Sequence, residues 1–372
     1  MLRNTVDYCK TCLTPNSRPR TVFNSNGICN ACVNALEKKK VDWESRRKLF
    51  QETIKPFKSN PSGYDCIVPW SGGKDSSYIA YRLKYEFGLN PLLVTVAPLI
   101  PTETGIHNRN EILNLGFDHL YVKPNEIISR SLSQRFFKER GNPKMHWDAA
   151  VSCAPMQVAL NYKINLIFYA EHGDSEYGGR VLSEDSKKIR DLTEVLENCI
   201  GDDPSNWISD KISLKDLQPY LYPNNEMLLQ SKITALYFSY FFYWDVVKNY
   251  EFIKTKIKFK LAEQNRTLGT FTNFDSLDDK IDDLYYYMQF IKFGFGRCVR
   301  DASRHIQNKY ISRDEAIKLV KKYDGEFPSR YFRECLDYLE LTEDEFYKIV
   351  DLHRNSEIWH KEKNNWELIN KI

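Results

Sequence analysis

Over the first half of the chain, short apolar runs alternate with longer stretches in which apolar positions recur at helical spacing. Residues 64–70, with Cys66-Ile67-Val68 at their centre, read as a strand, and residues 76–87 read as a helix that closes at Gly88. A second strand is expected over 91–97 and a helix over 107–115 ending at Gly116. A third strand follows over 119–122, helices over roughly 126–162, and a fourth strand over 165–170. Strands that alternate with helices in this way predict a doubly wound parallel α/β sheet. Upstream, Asp42-Trp43-Glu44 opens a linker helix over 42–54, and 56–61 reads as a loop. Beyond about residue 186 the strand signals fade. Ser312 with Glu315, and Thr342 with Glu345, match the capping box at a helix start, so the carboxy-terminal part is expected to be mostly helical. The expected division is 1–40, 41–185 and 186–372.

Composition narrows the classes of partner. The chain of 372 residues carries 53 basic and 50 acidic side chains, a net charge of +3. Charge this close to balance gives no bulk attraction to nucleic acid or to anionic membranes, and neither is expected as a partner. With 21 Phe, 7 Trp and 23 Tyr against 16 Gly and 15 Pro, there is ample core material and little linker. The aromatic-rich run 234–247 is too short to span a bilayer, and the first residues lead into no apolar signal core. A soluble cytoplasmic protein is expected.

Nine cysteines in such a chain point to metal binding or burial rather than to disulfides. Cys9-Lys10-Thr11-Cys12 and Cys29-Asn30-Ala31-Cys32 form two C-x2-C pairs separated by sixteen residues. That spacing lets four thiolates close a tetrahedron around one ion, and Gly27 permits the positive φ that such knuckles need. A structural Zn2+ site of zinc-ribbon type is expected. An iron–sulfur cluster is the competing reading, because four thiolates serve both.

Ser71-Gly72-Gly73-Lys74-Asp75-Ser76-Ser77 lies between the first strand and its helix, at the carboxyl edge of the sheet where α/β folds bind ligands. Adjacent glycines admit an anion to the backbone amides, the helix directs its positive end at it, and serine hydroxyls add donors. The run fits neither the Walker loop nor G-x-G-x-x-G. It resembles the SGGxDS pyrophosphatase loop of the PP-loop ATPases, whose HUP-like domain binds ATP. This superfamily includes asparagine synthetase, GMP synthetase, tRNA-lysidine synthetase and tRNA thiolation enzymes. The resemblance implies cleavage of ATP between its α and β phosphates. It assigns Ser71, Gly72, Gly73, Lys74, Asp75, Ser76 and Ser77 to ATP, with Asp75 as a Mg2+ partner and Lys74 on the leaving pyrophosphate.

Further on, Ala170-Glu171-His172-Gly173-Asp174-Ser175-Glu176-Tyr177-Gly178-Gly179 follows the fourth strand, and the Lys292–Arg297 segment precedes Arg300-Asp301-Ala302-Ser303-Arg304. Together with the cysteine pairs, the glycine loop and Tyr323-Asp324-Gly325-Glu326-Phe327-Pro328, these segments resemble the N-acetyl sugar amidotransferases. That family makes acetamidino groups on bacterial surface sugars, in B-band O-antigen synthesis and in pseudaminic and legionaminic acid pathways. The resemblance implies that an N-acetyl sugar, nucleotide-linked, is adenylated on its acetamido oxygen and that ammonia displaces AMP. It assigns catalytic roles to Lys74, Asp75 and Glu171, and substrate binding to His172, Asp174, Glu176, Tyr177 and Arg297.

No glutaminase nucleophile is evident, since Leu2 follows Met1 and Cys66, Cys153, Cys199, Cys298 and Cys335 lack glycine-flanked elbows. His360-Lys361-Glu362 imitates half of a glutaminase triad but reads as a surface helix. The resemblance therefore implies a separate glutaminase subunit, similar to that of imidazole glycerol phosphate synthase, and allows a barrel-fold companion that conducts ammonia. Two other readings stand beside this one. A tRNA thiolation or lysidine-type enzyme would share the loop and the knuckles, whereas a non-catalytic scaffold for the glutaminase would turn over no ATP.

Overall fold

The computed structural model describes residues 6–372 apart from 59, 62, 194 and 364, and apart from the side chains of 198 and 199. Cys199 thus lies outside the described side chains. The chain opens with the cysteine segment, α1 (Asn30–Lys38) and α2 (Trp43–Ile54). Asp42 caps α2 by accepting from the amides of Glu44 and Ser45.

The central unit then runs β1 (Cys66–Pro69), α3 (Lys74–Tyr81), β2 (Pro91–Val96), α4 (Glu103–Leu113), β3 (Asp118–Val122), α5 (Glu126–Arg140), α6 (Met145–Tyr162) and β4 (Leu166–Tyr169). Short helices α7 (Gly173–Tyr177), α8 (Glu184–Lys188) and α9 (Asn225–Gln230) lead to β5 (Thr234–Tyr237) and α10 (Val246–Ile253). The five strands form one parallel sheet in the order β3-β2-β1-β4-β5. Period-2 alternation divides their side chains between two cores. Ile67, Val94, Ile167 and Ala235 join the α5–α6 face, while Cys66, Val68, Phe168 and Leu236 join the opposite core with Phe50 of α2 and Ile79 of α3.

Strand β5 comes from beyond residue 186, where the sequence pattern carries no strand signal. Its four residues open an aromatic run and follow about sixty residues of loops and short helices. Helix α4 begins earlier than expected because the Thr102 hydroxyl caps it, accepting from the Gly105 amide. Helix α3 is regular only to Tyr81 and continues through a π-helical turn, Arg82–Glu86.

The remainder is helical: α11 (Asp282–Phe293), α12 (Arg297–Gln307), α13 (Arg313–Tyr323), α14 (Phe332–Leu339) and α15 (Glu343–Leu352). Both expected capping boxes are present, at Ser312–Glu315 and Thr342–Glu345. A hairpin of β6 (Trp359–Glu362) and β7 (Asn365–Leu368) follows. His360-Lys361-Glu362 therefore lies on a strand and not on a helix, its period-2 pattern being paired with Glu367 and Trp366 across the hairpin. Among the described residues no helix is long and apolar enough to cross a membrane.

Candidate functional site

The strand order decides where a ligand can enter. From β1 the chain winds outward through β2 and β3, then returns to place β4 on the other side of β1. The loops after β1 and β4 therefore diverge, opening a crevice at the carboxyl edge. The first loop is Ser71–Gly73 and the second begins at Ala170-Glu171. Both line one cavity of about 300 Å3 with the start of α3.

Within the first loop, Gly72 has φ +89°, and a Cβ there would run into the Arg109 side chain of α4. Glycine is required on both counts. The Ser71 hydroxyl accepts from the Gly73 amide at 3.2 Å, and the Ser76 hydroxyl accepts from the Ser71 amide at 3.3 Å, so the serines hold the loop curved. Ser71 to Ser76 all line the cavity. Ser77, one residue further around the helix, is fully buried, and its hydroxyl accepts from the Trp70 indole at 3.0 Å. It fixes the strand-to-helix turn from behind.

Lys74 is buried between two carboxylates, Asp75 at 2.7 Å and Asp275 in closer contact. Burial alone would lower its pKa, but Asp275 and Asp75 outweigh this and hold it above the ordinary lysine value. The other Asp75 oxygen accepts from Asn249 of α10 at 2.8 Å. Asp275 also pairs with Arg304 at 3.1 Å. Lys74, Arg304, Arg300 and Arg297 overcome the effect of burial and keep this carboxylate well below the usual range.

Arg297 itself is buried, donating from Nη2 to the Asp275 carbonyl at 2.6 Å. It lines neither this cavity nor its neighbour, so it braces the Asp275 segment. Asp301 ties the bracing together, accepting from Arg304 at 2.7 Å and from the hydroxyls of Thr270 and Thr272.

The opposite wall is acidic too. Asp278 and Asp282 face the cavity with Lys144, which pairs with Asp282 at 2.5 Å and Asp279 at 3.5 Å. Burial and Asp282 push Asp278 up to about 7. Arg109, packed under Gly72, has a buried Nη1 with no hydrogen-bond partner. Sequence reasoning missed Arg109, Lys144, Asn249, Asp275, Asp278 and Asp282. The acidic run 275–279 was the one local signal for any of them.

Glu171 lines both this cavity and a second one of about 370 Å3. Burial and Asp75 raise its pKa to about 7 against the lowering effect of a hydrogen bond from the Tyr177 hydroxyl. Burial and the proximity of Glu171 in turn hold the Tyr177 phenol well above its usual value. His172 caps α7 by accepting from the Asp174 amide at 3.2 Å, and burial lowers it to about 4, so the ring is neutral near pH 7. Asp174 pairs with Arg180 at 3.2 Å and with Arg20 at 3.9 Å. Glu176 turns away to pair with Lys38 of α1 at 2.9 Å. Of the five residues assigned to the substrate, His172 and Asp174 line the second cavity beside Glu171, whereas Glu176 pairs with Lys38, Tyr177 bonds to Glu171 and Arg297 bonds to the Asp275 carbonyl.

The cysteine segment packs against this region. Cys9, Cys12, Cys29 and Cys32 are buried, with all four sulfurs within 4.8 Å of one another. The Cys12–Cys29 and Cys9–Cys32 separations are 3.7 and 4.0 Å. Tetrahedral zinc with Zn–S of about 2.3 Å needs sulfurs about 3.8 Å apart. The cluster could hold a metal such as zinc, and it is too compact for a polynuclear cluster, whose several irons would spread the thiolates. Amides of Thr14 and Cys29 donate to sulfur at 3.4 and 3.2 Å, as thiolate ligands require. Leu13 and Thr14 bond to Ser303 of α12, and Asn30 bonds to the Gly179 carbonyl after α7. The knuckle is thus wedged between α12 and the end of α7, and the loop between its cysteine pairs brings Arg18 and Arg20 to the second cavity.

Residues 268–372 match the family model of the LPS biosynthesis protein WbpG-like, C-terminal domain. The match spans α11 to the hairpin and includes Asp275, Asp278, Asp282 and the α12 arginines. A protein of Methanocaldococcus jannaschii described as uncharacterized is 33% identical over 102 residues, which is 27% of this chain and 36% of that one. The chain thus spans about a third of the length of this relative.

Proposed function

We propose that the protein is an ATP-dependent, AMP-forming amidotransferase that converts the acetamido group of an N-acetylated sugar into an acetamidino group for surface polysaccharide synthesis. The observation that carries this reading is Glu171, a carboxylate held near neutrality where the glycine-loop cavity opens into a second cavity. The match of residues 268–372 to a lipopolysaccharide biosynthesis family supports the pathway.

In this reading the curved Ser71–Ser76 loop presents its amides and the amino end of α3 to the phosphates of ATP. Lys74 neutralises the departing pyrophosphate. Asp75, Asp275, Asp278 and Asp282 line the cavity with hard carboxylate oxygens, which repel ATP unless a divalent cation intervenes. Asp75 would be the residue that meets Mg2+ arriving with ATP, and the charge of that ion would screen the phosphates.

An amide carbonyl is a poor electrophile. Attack of its oxygen on the α phosphate forms an O–P bond, expels pyrophosphate and leaves an O-adenylyl imidate. Ammonia adds to the imidate carbon, Glu171 takes the surplus proton, and the C–O bond breaks to release AMP and the amidine. Burial pushes the thiols of Cys66, Cys298 and Cys335 up, and that of Cys153 up to about 12, so none is a ready nucleophile for glutamine. Ammonia is then supplied by a separate glutaminase subunit, and a barrel-fold companion would fit beside it.

The zinc-filled knuckle acts as a brace for α7 and α12. The test is incubation with ATP, Mg2+, ammonium and candidate N-acetyl sugars, followed by mass spectrometry for replacement of O by NH and by assay of AMP and pyrophosphate. AMP formation dependent on such a sugar supports the reading, and no sugar-dependent AMP contradicts it.

A further inference from the structure

The second cavity is lined by guanidinium groups drawn from three places. Arg18 and Arg20 come from the loop between the two cysteine pairs, Arg180 follows α7, and Arg190 enters the edge of the sheet, its amide bonded to the Ala235 carbonyl. Arg180 and Arg20 share one carboxylate, Asp174. Arg18 donates Nε to the carbonyl of Gly178 at 3.0 Å, a neutral partner. Arg190 stacks on Tyr169, its guanidinium carbon 4.1 Å from the ring centroid.

Four arginines face three carboxylates, Glu171, Asp174 and Asp191, in the lining of this one space, so basic side chains are in excess. Guanidinium forks match phosphate oxygens two at a time, and several of them around a roomy cavity suit a ligand with more than one phosphate oxygen to offer. The glycine-loop cavity has the opposite lining, so the two chambers sort their ligands by charge.

We infer that the arginine-lined cavity binds the phosphate or diphosphate of a carrier-linked sugar, and that the metal knuckle is part of this substrate site because its loop delivers Arg18 and Arg20. The inference rests on the proposed reaction for the sugar itself, since phosphates anchored on the arginines would direct the acetamido group toward Glu171 and the α phosphate of ATP. The carrier is either a nucleoside or a prenyl chain, which share the diphosphate.

The test measures binding to the metal-loaded full chain by titration calorimetry without ATP, using UDP, farnesyl diphosphate and N-acetylglucosamine as probes. At least one diphosphate should bind, and N-acetylglucosamine should bind at least about tenfold more weakly. UDP binding indicates a nucleotide carrier and farnesyl diphosphate binding a lipid carrier. Arg20→Ala and Arg180→Ala, both changes of partly exposed side chains, should each weaken the diphosphate about tenfold. Binding of α,β-methylene ATP with Mg2+ should stay unchanged.

Absence of binding by both diphosphates, or full binding by both variants, would overturn the inference. Diphosphate binding that depends on the arginines, without any sugar-dependent AMP formation, would keep the inference and sink the proposed reaction. Amidination of a phosphate-free sugar with the KM of its phosphorylated form would do the reverse.

Discussion

The two cavities that meet at Glu171 are built from opposite materials. The glycine-loop side gathers Asp75, Asp275, Asp278 and Asp282 around two buried lysines, whereas the far side gathers Arg18, Arg20, Arg180 and Arg190 around Asp174 and Asp191. The acidic chamber is rigid, because nearly every charge in it is tied to α3, α10, α11 or α12 by a short ion pair or hydrogen bond. The basic chamber takes its charges from loops, and two of them depend on a cysteine cluster for their position. One chamber suits a cation-accompanied triphosphate, and the other suits an anion that must come and go.

Substitutions can separate the two chambers, and Asp75→Ala should have the largest effect. Losing a carboxylate that contacts Lys74 and Asn249 in the acidic chamber should reduce AMP formation by at least about a hundredfold, while UDP or farnesyl diphosphate binding remains. Equal loss of both would show that the chambers are not independent.

Cys29→Ser comes next. Four thiolates closing on one ion contribute folding free energy on the order of several kcal/mol, so this variant should lose close to one bound zinc and melt earlier. The knuckle loop carries Arg18 and Arg20, so diphosphate binding should fall before binding of the ATP analogue does. Iron with visible absorption in the purified protein would replace zinc in this account.

Glu171→Gln should cost amidination about ten- to a hundredfold and leave binding of both ligands intact. Its stability effect has a definite sign. Because the folded pKa is raised to about 7, the wild-type carboxyl is favourable to folding at low pH, and that contribution is lost as pH rises through about 7. Thermal melts should therefore show the Gln variant more stable than wild type near pH 8, by up to about 3 kcal/mol, and nearly equal near pH 5. A pH-independent difference would remove the case for a buried, near-neutral Glu171.

The smallest effect is expected for Ser77→Ala. Its hydroxyl serves the Trp70 indole and not the cavity, so the loss should be about 1 kcal/mol of stability with KM for ATP unchanged. A raised KM would return Ser77 to the phosphate loop.

The loop and the four cysteines were legible because their chemistry is written within a few residues of each other. The alternation of strands and helices was legible to Ala170 because each strand is a buried apolar run. What escaped was assembled by tertiary folding. Asp275 reaches Lys74 across two hundred positions, and the four arginines converge from three segments with no shared motif. Ser76 and Ser77 look equivalent as letters, but one helical step turns the second into the core. Arg297 and Glu176 read as ligand contacts because they are charged and near glycines, and only the fold shows that Glu176 pairs with Lys38 and that Arg297 is buried with one nitrogen on the Asp275 carbonyl.

The most direct test of the central claim follows one carrier-linked N-acetyl sugar in the presence of ATP, Mg2+ and ammonium, counting AMP, pyrophosphate and product in the same vessel. The account predicts one AMP and one pyrophosphate for each acetamidino sugar formed, with all three lost in Asp75→Ala. Formation of ADP, or AMP released at the same rate without any sugar, would contradict it.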